Sequence, residues 1–212
     1  MSTTNLVQKS LQTFFVLVKP DGVDSVGKIR QMFLDAFLKG KEQANIEFFE
    51  EITPAIIKGV GKFTKDMILA HYAKPDPWLI KYGKKIISAR TGVDIESISE
   101  ELGLEEGKKI PDALADYMCS GSMWAFVFQS NAENTFDIAR TVLGDVDPSK
   151  ASPDSIRGKY SKDSFRLAWT DPLGARAIHN VCHCSDSQEE AEREIRLFLG
   201  DLEAGKYFQH LE

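Results

Sequence analysis

Cysteine is scarce in this chain of 212 residues: Cys119, Cys182 and Cys184 are too few for a disulfide framework. That scarcity sets the expectation of a reducing, cytoplasmic setting. Long apolar runs are also missing. No stretch approaches the ~20 residues that cross a bilayer, and the opening MSTTNLVQKSLQ lacks the apolar core of a signal peptide. No membrane partner is expected. Positive charge is not in surplus either, with 26 Lys and Arg against 32 Asp and Glu, a formal net charge of −6. Coating nucleic acid needs a basic face for the phosphate backbone, so no nucleic-acid partner is expected. A small phosphate-bearing ligand is not excluded, because it needs only a few placed cations. What is present, 42% hydrophobic and 27% charged residues, is the composition of an ordinary globular protein. The length suits a single domain over 1–212 that carries insertions.

The run 14–18 (FFVLV) is continuously apolar, as in a strand buried on both faces, and Lys19-Pro20-Asp21-Gly22 turns the chain. Val26, Ile29, Phe33 and Phe37 then recur at helical spacing, with Gly40 as the expected C-cap. Residues 46–52 read as a strand ended by Pro54, and 64–72 as a helix capped by Thr64. The stretch 73–116 is poor in apolar residues and broken by prolines and glycines, so it reads as a partly helical surface insertion. A strand over 124–128 and a helix over 134–143 follow. After two long connections, reaching to about 175, come a short strand over 178–183 and a helix opened by Ser187-Gln188-Glu189-Glu190, a capping box. The alternation of strands and helices fits a two-layer α/β sandwich.

Four features invite a chemical reading. Gly22 to Ile29 (GVDSVGKI) nearly matches a phosphate loop, but Ile29 stands where a hydroxyl would ligand magnesium, so Lys28 reads as a solvated helix charge. Cys182-His183-Cys184 suggests zinc, yet neighbours in a strand point to opposite faces and Cys119 brings no second ligand pair. The two cysteines read as core fillers. His183 itself lies where a strand ends before a helix whose free N–H groups favour phosphate, and Glu194 is placed to orient its ring if the fold brings them together. Lys19, Arg140 and Arg157 are each ordinary surface charges when taken singly, but in combination with His183 they suggest phosphate binding.

The combination resembles the nucleoside diphosphate kinase family. The resemblance rests on 15–22 (FVLVKPDG), His71-Tyr72, 117–121 (YMCSG), 140–148 (RTVLGDVDP), 153–158 (PDSIRG), 180–187 (NVCHCSDS) and 189–195, all in the family's order. It implies a ferredoxin-like βαββαβ core with an antiparallel sheet, ping-pong transfer of a γ-phosphoryl from ATP to nucleoside diphosphates of broad base type, and a tetramer or hexamer. By position, His183 is then the phosphorylated nucleophile, with Glu194 and Ser185 in its constellation. Lys19, Tyr72, Trp78, Arg140, Arg157 and Asn180 bind nucleotide, and Mg²⁺ is carried on the phosphates with no metal ligands from the chain. The alternative is a nucleotide-binding or scaffolding member with weak or lost transfer.

This chain departs from the family pattern in four places. The connections 73–113 and 159–175 are enlarged. Asp76 and Val146 stand where the family has a phosphate-binding arginine and threonine, with Lys81 or Arg90 as replacement cations and Trp78 as the base-stacking ring. His179 replaces an arginine.

Overall fold

The computed structural model describes residues 11–38, 44–54 and 63–208; Gly40 lies outside them. Strand β1 (Gln12–Val18) is the hub of a four-stranded sheet ordered β2-β3-β1-β4, where β2 is Ala44–Ile52, β3 is Met123–Ser130 and β4 is Cys182–Cys184. Every pairing is antiparallel. Helix α1 (Val26–Leu38) follows β1 and α6 (Thr135–Leu143) follows β3, so the βαββαβ order stands once the helices between β2 and β3 and between α6 and β4 are set aside.

The continuous apolar run of β1 is explained by cover on both faces. Phe14, Val16 and Val18 point to one side, where α1 contributes Ile29, Phe33 and Phe37 and α6 contributes Ala139 and Leu143. Phe15 and Leu17 point to the other side, where Ile68 of α2 (Lys65–His71), Ala115 and Met118 of α5 (Lys109–Met118), and Ile195 and Phe198 of α9 (Gln188–Leu199) close over them. The sheet is antiparallel with helices packed on it as expected, but cover on both faces makes three layers where two were expected. Thr64 caps α2 by accepting from Met67 N, and Ser187 caps α9 by accepting from Glu190 N.

The last strand is shorter than 178–183 suggested. Val181 has φ +57°, a left-handed value that a β-branched residue rarely adopts, so the ladder begins only at Cys182. Two long-range bonds hold that kink: Lys19 N donates to Val181 O at 2.8 Å, and Val181 N donates to Asp21 Oδ2 at 3.1 Å.

The connection 73–113 is almost wholly helical, with α3 (Asp76–Thr91) and α4 (Glu100–Gly107) leading into α5. Its apolar residues are sparse because α3 and α4 meet through glycine. A Cβ on Gly83 would lie 1.8 Å from Gly103 O, and one on Gly107 would lie 2.1 Å from Leu79 O. Gly83→Ala is expected to lower stability by roughly 2 kcal/mol by forcing these backbones apart. The urea midpoint measures this, and an unchanged midpoint would show that the close approach is dispensable. No helix among the described residues is long and apolar enough to cross a membrane.

Candidate active site

Pairing of β4 against β1 sets Leu17 opposite His183. Alternation along β4 sends Cys182 and Cys184 into the α1 side of the core and His183 to the other face, under α9 and α2. There His183 Nε2 lies 2.7 Å from Glu194 Oε1. Glu194 is buried, and its second oxygen accepts from Ser185 Oγ at 2.6 Å. Burial acts to raise the Glu194 pKa but is outweighed by His183 and the Ser185 hydroxyl, which hold it below the usual glutamate range. An ionised carboxylate accepts the Nε2 proton, so the imidazole lone pair is left on Nδ1.

Two cations that share a cavity with His183 are buried. Lys19 is 4% exposed and donates from Nζ to Asn180 Oδ1 at 2.7 Å. Burial, followed by repulsion from Arg157, lowers its pKa to about 8. Arg157 is 8% exposed and donates to Gly144 O at 3.1 Å and Cys182 O at 3.0 Å. Its Nε is buried without a partner, and among the described residues no carboxylate lies in salt-bridge range of its guanidinium. Burial also lowers the Arg157 pKa. The fold thus holds positive charge with little negative charge against it. An anion delivered there relieves both the repulsion and the desolvation.

Lys19, Arg157, Asn180 and His183 open onto a cavity of about 300 Å³, which Tyr72 and Trp78 also line. The Tyr72 hydroxyl is buried without a partner among the described residues, and burial raises its pKa. Trp78 sits in the first turn of α3 and stacks on Tyr82 with ring centres 4.1 Å apart. Asn180 Nδ2 donates to Val146 O at 3.0 Å, which ties the loop after α6 to the cavity rim. Arg140 stays on the exposed face of α6 and does not line the cavity, and Lys28 is likewise exposed on α1. Neither Lys81 nor Arg90 lines it. Lys74, two residues before Asp76, does, together with Lys109 and Arg176.

Three parts of the site escaped the sequence reading. His71 Nδ1 accepts from Arg193 Nη2 at 3.2 Å, and its ring lies edge-on to that of His183 at 4.9 Å. Burial, reinforced by His183, pushes its pKa down to about 3, so it is neutral. Asp21 accepts from the Tyr117 hydroxyl, whose ring stacks on His179 at 4.3 Å. The third part is aromatic: Tyr82, Phe165 and Trp169 extend the cavity wall. His71, Asp21, Tyr117 and Arg193 lie in the runs that carry the family resemblance, and His179 was marked as a departure from it, whereas Tyr82, Phe165 and Trp169 lie in 73–113 and 159–175, where no motif pointed to them.

A family model described as nucleoside diphosphate kinase matches residues 78–204. A nucleoside diphosphate kinase from Pyrobaculum aerophilum is 32% identical over 202 residues, covering 93% of this chain and 97% of that protein. One from Streptomyces coelicolor is 33% identical over 107 residues, half of this chain and 67% of that protein. Among solved structures, an NDP kinase from Pyrobaculum aerophilum superposes with a TM-score of 0.68 at 28% identity, covering 92% of this chain and 98% of that chain. A Borrelia burgdorferi nucleoside-diphosphate kinase holding vanadate and ADP as a transition state mimic superposes at 0.59 and 19% identity, over 95% of this chain and 93% of that chain, a likeness of fold.

Proposed function

The chain belongs to the nucleoside diphosphate kinase family, a phosphotransferase acting between nucleotides, and from that premise we propose that His183 carries the phosphoryl group. The observation that supports this most is the His183–Glu194–Ser185 relay standing beside two buried, under-neutralised cations. In the first half-reaction, Nδ1 of His183 attacks the γ-phosphorus of ATP in line. The P–N bond forms as the bond to the ADP oxygen breaks, and ADP leaves with that electron pair. Glu194 holds the Nε2 proton and stabilises the positive charge that the ring gains. Lys19 and Arg157 face the oxygens over which negative charge spreads, so positioning and electrostatics supply the acceleration. A nucleoside diphosphate then enters the same cavity and takes the phosphoryl in the reverse step.

Broad acceptance of bases follows if the ring stacks on Trp78, since stacking does not read a base edge. Tyr72 and Asn180 line the ribose and phosphate path. Arg140 is exposed, and its assigned role in nucleotide binding requires it to turn inward. Among the described residues one carboxylate lines the cavity, Glu106, which is already paired with Lys109 and Arg90. This donor set suits an Mg²⁺ ion carried on the nucleotide phosphates, where it neutralises phosphate charge, rather than one caged by the protein. The proposal also includes one domain enlarged at 73–113 and 159–175, working in the cytoplasm as a homo-oligomer. Initial rates over varied ATP and GDP test the cycle: parallel double-reciprocal lines are expected, and intersecting lines would contradict a covalent intermediate.

The lysine gives a pH prediction. A lysine with a lowered pKa loses its charge as pH rises through the lowered value, so the free enzyme sheds a phosphate contact above about pH 8. kcat/KM for ATP is expected to fall there. At saturating ATP the bound phosphates restore the charge, so the fall in kcat moves to higher pH. A kcat/KM profile that stays flat through this range would mean that Lys19 does not contact phosphate as a cation.

A further inference from the structure

The cavity has an aromatic wall, which includes the Trp78 that stacks the base in the phosphotransfer reading. That wall comes from the two enlarged connections, with the Trp78–Tyr82 stack on α3 facing α8 (Phe165–Trp169), whose Phe165 and Trp169 rings lie 5.0 Å apart. Two aromatic pairs on opposing elements form a slot suited to a flat heteroaromatic ring. Glu106, at the end of α4, also lines the cavity.

A carboxylate is an expensive group to turn toward an apolar slot. The Glu106 side chain is 11% exposed, while its partners Lys109 and Arg90 are 63% and 42% exposed. Lys109 Nζ is 2.7 Å from Oε2, and Arg90 Nη1 is 3.4 Å from Oε1. These two cations could balance Glu106 equally well at the surface, yet the carboxylate is kept inside. Each oxygen retains acceptor capacity beyond its one cation. Glu106, on the lining of the slot, thus offers two adjacent acceptors.

Among the common bases, guanine alone presents two adjacent donors, N1–H and the exocyclic N2–H, to such a pair. Adenine and cytosine offer one amine beside a ring nitrogen lone pair, and uracil offers one N–H between two carbonyls. We propose that Glu106 is a specificity-determining residue that reads the guanine edge. It would lay a guanine preference on a site that still accepts other bases. The proposal rests on the reading of this cavity as the nucleotide site. A bidentate, charge-assisted contact of this kind discriminates by roughly tenfold or more.

Equilibrium binding to the full chain with Mg²⁺ tests it without depending on turnover. GDP is expected to bind about tenfold or more tighter than ADP. Inosine diphosphate, which keeps N1–H but lacks the amine, falls between them, and xanthosine diphosphate, which puts a carbonyl where the amine was, binds more weakly than inosine diphosphate. Glu106→Gln should bring GDP to within about threefold of ADP while leaving ADP unchanged. Equal binding of GDP and ADP by the unaltered protein, or a preference that survives Glu106→Gln, overturns the proposal. If the variant does not fold, the inosine and xanthosine series on the unaltered chain decides. A guanine preference without transfer to GDP would uphold this inference and refute the phosphotransfer cycle, whereas transfer without a preference would do the reverse.

Discussion

His183→Ala should reduce ATP-to-GDP transfer by about four orders of magnitude or more, because the covalent route disappears entirely. Nucleotide affinity should change by no more than about threefold, since Lys19, Arg157 and Trp78 remain. The split between turnover and binding is the informative part. Stability should also drop by roughly 1–3 kcal/mol, because Glu194 loses a partner at 2.7 Å while staying buried. Ser185 Oγ still donates to it at 2.6 Å, and Arg193 Nη2 lies 3.9 Å away, so the loss is partial. Steady-state assays and isothermal titration on the same preparation check both halves. Lys28→Ala serves as a control: Lys28 is exposed on α1, away from the cavity, and its removal should leave turnover unaltered. If Lys28→Ala abolished transfer and His183→Ala did not, the assignment of the nucleophile would be wrong.

Arg157→Ala should lower kcat/KM by roughly two to three orders of magnitude, the scale seen when a preorganised electrostatic contact to a transition state is removed. The guanidinium is fixed by Gly144 O and Cys182 O rather than by a carboxylate, so its charge is not spent internally. Arg157→Lys keeps a charge but not the fork that reaches both carbonyls, and it should recover only part of the loss. The variant also changes a neighbour. Burial is the larger cause of the low Lys19 pKa and Arg157 the second, so removing Arg157 should shift the alkaline limb of kcat/KM above about pH 8. A loss of rate with the limb unmoved would mean that the two cations do not share one field.

The core of this protein was legible because its signals are local. The FFVLV run, the helical spacing of Ile29, Phe33 and Phe37, and the Thr64 and Ser187 caps each depend on a few neighbouring residues. His183 and Glu194 stood out at a strand end and in the helix after it, and Ser185 through the likeness of 180–187 to the family; the fold brings the three side chains together. The connection 73–113 was read only as partly helical because its contacts are made by Gly83, Gly103 and Gly107, which leave no apolar stripe. The strand over 178–183 came out too long because nothing local marks Val181 as left-handed; tertiary bonds from Lys19 and Asp21 impose it. Lys81 and Arg90, the expected replacement cations, lie on α3 in a helix phase that keeps them off the cavity wall, whereas Lys74 lines it from the link before that helix.

The central claim is that His183 carries the phosphoryl group between nucleotides. Its most direct test is the intact mass of the protein after brief incubation with ATP and Mg²⁺, quenched at alkaline pH where phosphohistidine survives. One added phosphoryl is expected, absent from His183→Ala and removed by GDP with GTP appearing in its place. ATP binding without any added phosphoryl would contradict the account and leave a nucleotide-binding protein whose relay serves another purpose.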